Sequence, residues 1–253
     1  MNTLQTAFSA FVLGIGALGA PAFASTWSED HVLGRNITFY SPTEIDRKND
    51  TPLVMVFDDT ARSGTDLAER FALWHHASEG GFKIVYSGDI TDGAKGNQVP
   101  SHDDLMPMAV EMALTTGNYS AANIYVVGFG DAAARAINFA CRAPGLLRAV
   151  VALDYEGPKP GEAFFCDDAA GLLVLSVHDG EPAEAAVRGA KSSRNTDRID
   201  AALEAMSAGG AKVRSIFVEG PDEDFPSLAA KFHEQSGVSL ESLVATFVAK
   251  TIR

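Results

Sequence analysis

Short apolar runs rich in β-branched residues recur along the chain at residues 35–40, 53–57, 83–86, 124–127, 149–153, 172–177 and 212–218. Each is long enough for a strand and bounded by turn residues. Between them lie stretches of helical period at 66–77, 103–115, 132–141, 196–208 and 240–251, with a shorter one at 228–235. In the second of these, Leu105, Met108, Ala109 and Met112 share one face; in the last, Leu240, Leu243, Val244, Phe247 and Val248 do. Strands that are apolar throughout need cover on both faces, and amphipathic helices between them supply it. The pattern predicts an α/β fold: a mostly parallel, doubly wound sheet in a three-layer α/β/α arrangement. No repeat or linker divides it, so one domain is expected over residues 25–253.

The first 24 residues follow a different pattern. Ala7 to Gly19 is an unbroken apolar run of small residues, followed by Pro21 and then Ala22-Phe23-Ala24-Ser25. This matches a secretory signal with cleavage after Ala24, although the leading segment Met1 to Thr6 carries no Lys or Arg. The alternative is an uncleaved anchor; cleavage is the expectation, and with it a secreted or periplasmic protein. No later segment is long and apolar enough to span a bilayer. Cys141 and Cys166 are the only two cysteines. An even count in an oxidising compartment reads as one disulfide, contributing roughly 3–4 kcal/mol by chain entropy.

Charge changes the picture next. Asp and Glu number 33 against 20 Lys and Arg, a formal net charge of −13, while 46% of residues are hydrophobic. A core is affordable and disorder is excluded. Phosphate backbones and anionic lipid would be repelled, so nucleic acid is not an expected partner.

In a doubly wound sheet, working groups lie beyond the carboxyl ends of the strands. The segment Ile124-Tyr125-Val126-Val127-Gly128-Phe129-Gly130-Asp131-Ala132 reads as strand, tight turn and helix start. Such a turn is where a G-x-S-x-G elbow lifts a serine above the sheet. Here Gly128 fits the first glycine, Gly130 stands at the serine position and Ala132 replaces the last glycine. Around it lie the strand 51–57 running into Asp58-Asp59-Thr60, then Gly81-Phe82-Lys83-Ile84-Val85-Tyr86, and Asn138-Phe139-Ala140-Cys141-Arg142-Ala143-Pro144. Further along come Leu173 to His178, Phe217-Val218-Glu219-Gly220 and Gly237-Val238-Ser239-Leu240. In their order and spacing these segments resemble the secreted polyhydroxybutyrate depolymerase and feruloyl esterase family of α/β-hydrolases. The resemblance spans most of residues 35–250.

That resemblance implies a nucleophile at Gly130, a triad acid near Glu181 and a triad histidine near Glu223. It also implies an oxyanion loop at Asp58, Asp59 and Thr60, and a disulfide between Cys141 and Cys166. The nucleophile and histidine positions do not hold the residue types that serine chemistry needs, and only the acid position keeps a carboxylate. Loss of a triad nucleophile costs about 10⁶ in rate. A carboxylate ~4 Å from a developing oxyanion would cost a further ~4 kcal/mol at a surface-like dielectric. Asp131 as a substitute nucleophile is opposed by its place on the first helical turn, where a carboxylate favours the helix end. His178 reads as a packed histidine, and His233 as a solvated helix-face residue.

Asp58, Asp59, Asp131, Asp154, Asp179, Glu181, Asp222, Glu223 and Asp224 would all converge on the carboxyl edge of the sheet. Carboxylates from separate loops can keep an exported protein soluble, hold a hard cation such as Ca²⁺, or attract a cationic ligand or basic protein surface. The expectation is therefore an α/β-hydrolase-fold protein without serine-hydrolase activity, needing no cofactor unless Ca²⁺, and binding a small molecule, a cationic ligand or a protein partner. The alternatives are an active esterase or depolymerase with a substituted constellation, and a Ca²⁺- or cation-binding protein.

Overall fold

A computed structural model describes residues 26–32, 35–41, 51–58, 60–61, 63–88, 102–116, 119, 121–158, 164–179, 194–218 and 225–252. Residues 1–25, Asp59, Glu181 and 219–224 fall outside them, so the signal segment and the assignments to Asp59, Glu181, Asp222, Glu223 and Asp224 do too.

Eight strands form one sheet in the order β1-β2-β4-β3-β5-β6-β7-β8. They are β1 (Thr26–Val32), β2 (Arg35–Ser41), β3 (Leu53–Asp58), β4 (Lys83–Gly88), β5 (Ile124–Phe129), β6 (Ala149–Leu153), β7 (Leu173–Asp179) and β8 (Lys212–Val218). From β4 to β8 every pairing is parallel, while β1 and β2 run antiparallel at one margin. The helices are α1 (Gly64–Arg70), α2 (Ala77–Gly80), α3 (His102–Thr116), α4 (Asp131–Arg142), α5 (Arg194–Ala208), α6 (Phe225–Ser236) and α7 (Leu240–Thr251).

The central strands are buried at every position of β3, β5 and β6. Their alternate side chains feed two separate cores. Val126, Val150, Ala152 and Val174 pack with α3, α4 and α5; Tyr125, Val127, Val151 and Leu175 pack with α1, α6 and α7. The three-layer arrangement expected from the pattern is present.

Two elements depart from expectation. Residues 66–77 form no single helix: α1 stops at Arg70, a 3₁₀ turn follows at Leu73–His76, and α2 begins at Ala77. Phe71 and Leu73 are both fully buried. A straight helix would set residues two apart about 200° around its axis, so the chain breaks to bury both. The other is β1, which the apolar pattern does not show because Ser28-Glu29-Asp30-His31 interrupts it. Seven residue pairs with β2 hold it. Trp27 fastens it further, with its ring 4.7 Å from Tyr40 and 5.5 Å edge-on to Trp74.

Cys141, near the end of α4, and Cys166, in the segment before β7, form the expected disulfide, with Cα atoms 4.7 Å apart at a sequence separation of 25. It ties a helix of one core to the approach of a strand that helix does not touch in sequence. A close backbone contact lies at Gly128 of β5, where the first turn of α4 lies against the strand. A Cβ there would stand 2.5 Å from the Ala132 carbonyl oxygen.

Two stability predictions follow from these contacts. Reducing the disulfide is expected to cost about 3–4 kcal/mol and lower Tm on the order of 10 °C, read by thermal melts with and without reductant. Gly128→Ala is expected to destabilise by on the order of 3 kcal/mol in urea unfolding, since the obstructing atom is backbone and cannot rotate away.

Candidate functional site

The chain leaves β3 for β4 on one side, then returns to β5 and proceeds through β6, β7 and β8 on the other. Strand order therefore reverses between β3 and β5, and a crevice opens beyond their carboxyl ends at such a point. Phe57 pairs with Gly128, so Asp58 ends β3 beside the turn that ends β5.

That turn consists of Gly130. Its backbone has φ 52° and ψ −119°, the geometry of the first central residue of a type II′ turn, which L side chains rarely adopt. A residue with a Cβ would be strained here by about 1–3 kcal/mol. Space is not the obstacle: a Cβ built on Gly130 has no atom within 4 Å. The Gly130 N–H donates to the Leu153 carbonyl at 3.0 Å, extending the β5–β6 ladder into the turn. Its carbonyl accepts the Ala133 N–H at 3.0 Å and so opens α4. The position is thus a rigid, uncluttered elbow with no side chain on it.

The next strand repeats the device in part. Asp154 follows β6 with φ 56°, the one non-glycine residue of positive φ among the described residues. Its N–H donates to the Val177 carbonyl at 2.8 Å. Gly130, Asp154 and the end of β7 are therefore joined in one row by two backbone hydrogen bonds. Asp131, first residue of α4, is exposed, and Asp154 is half-buried. The described part of the acidic rim consists of Asp58, Asp131, Asp154 and Asp179, carried by β3, by the start of α4 and by the ends of β6 and β7.

Asp58 does not behave as the charge pattern suggests. It is 3% exposed. One carboxylate oxygen accepts the Thr60 N–H at 2.7 Å and the Thr60 hydroxyl at 2.8 Å; the other lies 3.4 Å from the Arg70 guanidinium. Arg70 also reaches the Thr60 hydroxyl at 3.3 Å and Asp66 at 3.9 Å. Arg70, at the end of α1, was no sequence candidate, because nothing in its local pattern separates it from a solvated helix-end cation. The unopposed repulsion expected of Asp58 is accordingly replaced by an ion-paired loop, in which one backbone N–H of the oxyanion-loop segment is already engaged.

His178, the next-to-last residue of β7, is fully buried, as its reading as a packed histidine anticipates. Its Nδ1 lies 2.9 Å from the Ser176 hydroxyl, and the edge of the ring meets Phe217 with centroids 4.5 Å apart. Its Nε2 is buried and has no hydrogen-bond partner. Burial lowers its pKa from 6.5 to about 4, so the ring is neutral at ordinary pH. His233 is exposed on α6, as expected. His76 Nε2 lies 3.3 Å from the Ser242 hydroxyl at the start of α7, and His75 stacks on Trp74. Among the described residues, no group of three or more His, Cys, Asp or Glu side chains comes together in a way that would hold a metal ion. The Ca²⁺ expectation therefore has no support from the described side chains. No described helix is long and apolar enough to cross a membrane.

No family model matches the chain, and no curated protein matches its sequence. Solved structures do match its backbone. An S-formylglutathione hydrolase from Agrobacterium tumefaciens aligns over 92% of this chain and 98% of its own, with TM-score 0.62 and 11% identity. A ferulic acid esterase aligns over 90% of this chain and 99% of its own, with TM-score 0.60 and 14% identity. An alpha/beta hydrolase enzyme from a Medee basin deep-sea metagenome library gives 91% and 99%, TM-score 0.55 and 12% identity. The strand order with its reversal at β5, the glycine elbow and these alignments agree: the chain has the α/β-hydrolase fold.

Proposed function

We propose that this chain is an exported member of the α/β-hydrolase fold, of the polyhydroxybutyrate depolymerase and feruloyl esterase type, that performs no serine-hydrolase chemistry and uses its crevice to bind. The observation that carries the reading is Gly130: the turn keeps the elbow conformation and the open space above it, with no side chain to attack a carbonyl. Two further features support it. The loop after β3 spends its Thr60 N–H on Asp58 rather than offering it to a ligand. The positions that the family resemblance assigns to acid and histidine are Glu181 and Glu223.

A rigid elbow without a nucleophile still makes a shaped floor. The exposed Asp131 and half-buried Asp154 beside it favour a ligand with a cationic group, or a basic protein surface, over an anion. Retention of the turn is consistent with use of that floor, since glycine adopts its positive φ at little cost.

The test uses the purified chain with p-nitrophenyl acetate and butyrate, and with a fluorophosphonate probe. Neither turnover above background nor covalent labelling is expected. Gly130→Ser is expected to fold, because nothing stands within 4 Å of its Cβ, and to remain inactive, because no histidine stands at Glu223 to take its proton. Stoichiometric labelling of a serine in the unmodified chain, or turnover abolished by a single change at the crevice, would overturn the proposal.

A further inference from the structure

Two of the four buried side-chain atoms with no hydrogen-bond partner among the described residues, His178 Nε2 and Ser215 Oγ, lie at the β7–β8 margin of the sheet. They belong to one patch. Ser176 pairs with Ser215 and His178 with Phe217 across the two parallel strands, so all four residues lie on the same face of the sheet. This is the face covered by α5, whose buried residues Ile199, Ala202, Leu203 and Met206 are apolar. Asp58, by contrast, meets Thr60 and Arg70 directly. Leaving a buried donor or acceptor unmet costs stability, so an orphan pair at one place needs a reason.

On β7 the ring's neighbour is the Ser176 hydroxyl, and on β8 it is the Phe217 edge. The described titratable groups on the flanking elements are Asp154 and Tyr155 beyond β6, and Asp197, Arg198, Asp200 and Glu204 on α5. None of them hydrogen-bonds the imidazole. Arg198 donates to the Glu156 carbonyl. The Tyr155 phenol is pushed up by burial against the pull of Arg198, and Asp200 is raised by burial and by Glu204 and Asp197.

We propose that His178 is an acid-sensitive latch: neutral, it holds the carboxyl end of β7 in the core through Ser176, and on protonation the β7–β8 margin opens before the centre of the sheet. An imidazolium here would carry a second N–H donor at Nε2 with nothing to accept it. Hydration is the available relief, and the shortest route to water passes the edge strand β8, which has a neighbour on one side only in the described sheet. Water entering there reaches Ser215 Oγ as well, so one opening satisfies both orphans. The centre has no such incentive, since β3 and β5 are buried throughout and paired on both sides. The consequence falls on the crevice, because the end of β7 forms part of its rim.

The direction follows from linkage. The folded chain binds the proton at about 4 and the opened chain at the ordinary 6.5. The closed form is therefore fully favoured above 6.5 and loses that advantage as pH falls towards 4. At about pH 5 the local opening equilibrium rises about thirtyfold.

The test is amide hydrogen exchange of the full chain at about pH 7 and about pH 5, corrected for intrinsic exchange rates. Peptides covering β7 and β8 are expected to lose about twentyfold in protection between the two pH values, reversibly, while β3 and β5 keep theirs. His178→Asn keeps an amide near the Nδ1 position for Ser176 and removes the titration; the selective loss is expected to vanish. Equal loss at margin and centre, no loss at all, or an unchanged response in His178→Asn would each overturn the proposal. Exchange of the imidazole C2 hydrogen in the unmodified chain reads the His178 titration with no substitution; a midpoint at the ordinary 6.5 would overturn it as well. None of these readouts depends on hydrolase activity or on the ligand of the crevice.

Discussion

The approach of α4 to β5 at Gly128 is the constraint on which the carboxyl edge of this protein depends. The strand must pass within 2.5 Å, from where a Cβ would lie, of the Ala132 carbonyl, so the chain has to reverse within a single residue. That residue is Gly130, and its φ of 52° is the cost of so sharp a reversal. Once the turn is made, the Gly130 N–H faces the Leu153 carbonyl and the Asp154 N–H faces that of Val177. Three strand ends are thereby set in register. The positions of Asp131, Asp154 and the end of β7 are consequences of this close contact, whatever side chains they carry.

Most of the sheet could be read from the sequence because burial on both faces leaves little choice of residue. Val54, Val56, Val126, Val127, Val150 and Val151 are fully or nearly fully buried, and β-branched residues suit such strands. Where an element is held by something other than its own apolar period, the reading fails. β1 carries a polar run and is kept by pairing with β2 and by Trp27. The break after α1 arises because Phe71 and Leu73 both require burial, a demand of the core that the local period conceals. Both departures lie where tertiary contacts outweigh local preference.

The site was legible to a different degree. The glycine pattern at 128 and 130 marks a strand-turn-helix without knowledge of the fold, because only close approach and positive φ demand glycine at those two places. Charge was less informative. Counting carboxylates at strand ends treats each as free, yet Asp58 is enclosed with Thr60 and Arg70. Arg70 comes from the far end of α1, twelve residues on, and no spacing rule connects the two. An acidic composition thus overstates the negative potential at the point where strand order reverses, and the share that remains exposed moves to Asp131 and Asp154.

The glycine elbow and the Asp58–Arg70 pair both bear on what the crevice can do. The elbow's strain ordinarily serves to present a nucleophile; with glycine in place the strain is largely relieved, since positive φ costs glycine little. The Asp58–Arg70 pair then stabilises the loop that would otherwise need flexible, unsatisfied N–H groups facing a ligand. Both features accord with the proposed binding role, in which the crevice is internally satisfied. His178 runs against this trend. It is buried, uncharged and half-bonded, at the edge of a region where other groups have found partners. Beside a carboxyl edge held by backbone and ion-pair contacts, a buried ring nitrogen with no described partner gives a change of solvent conditions a place to act.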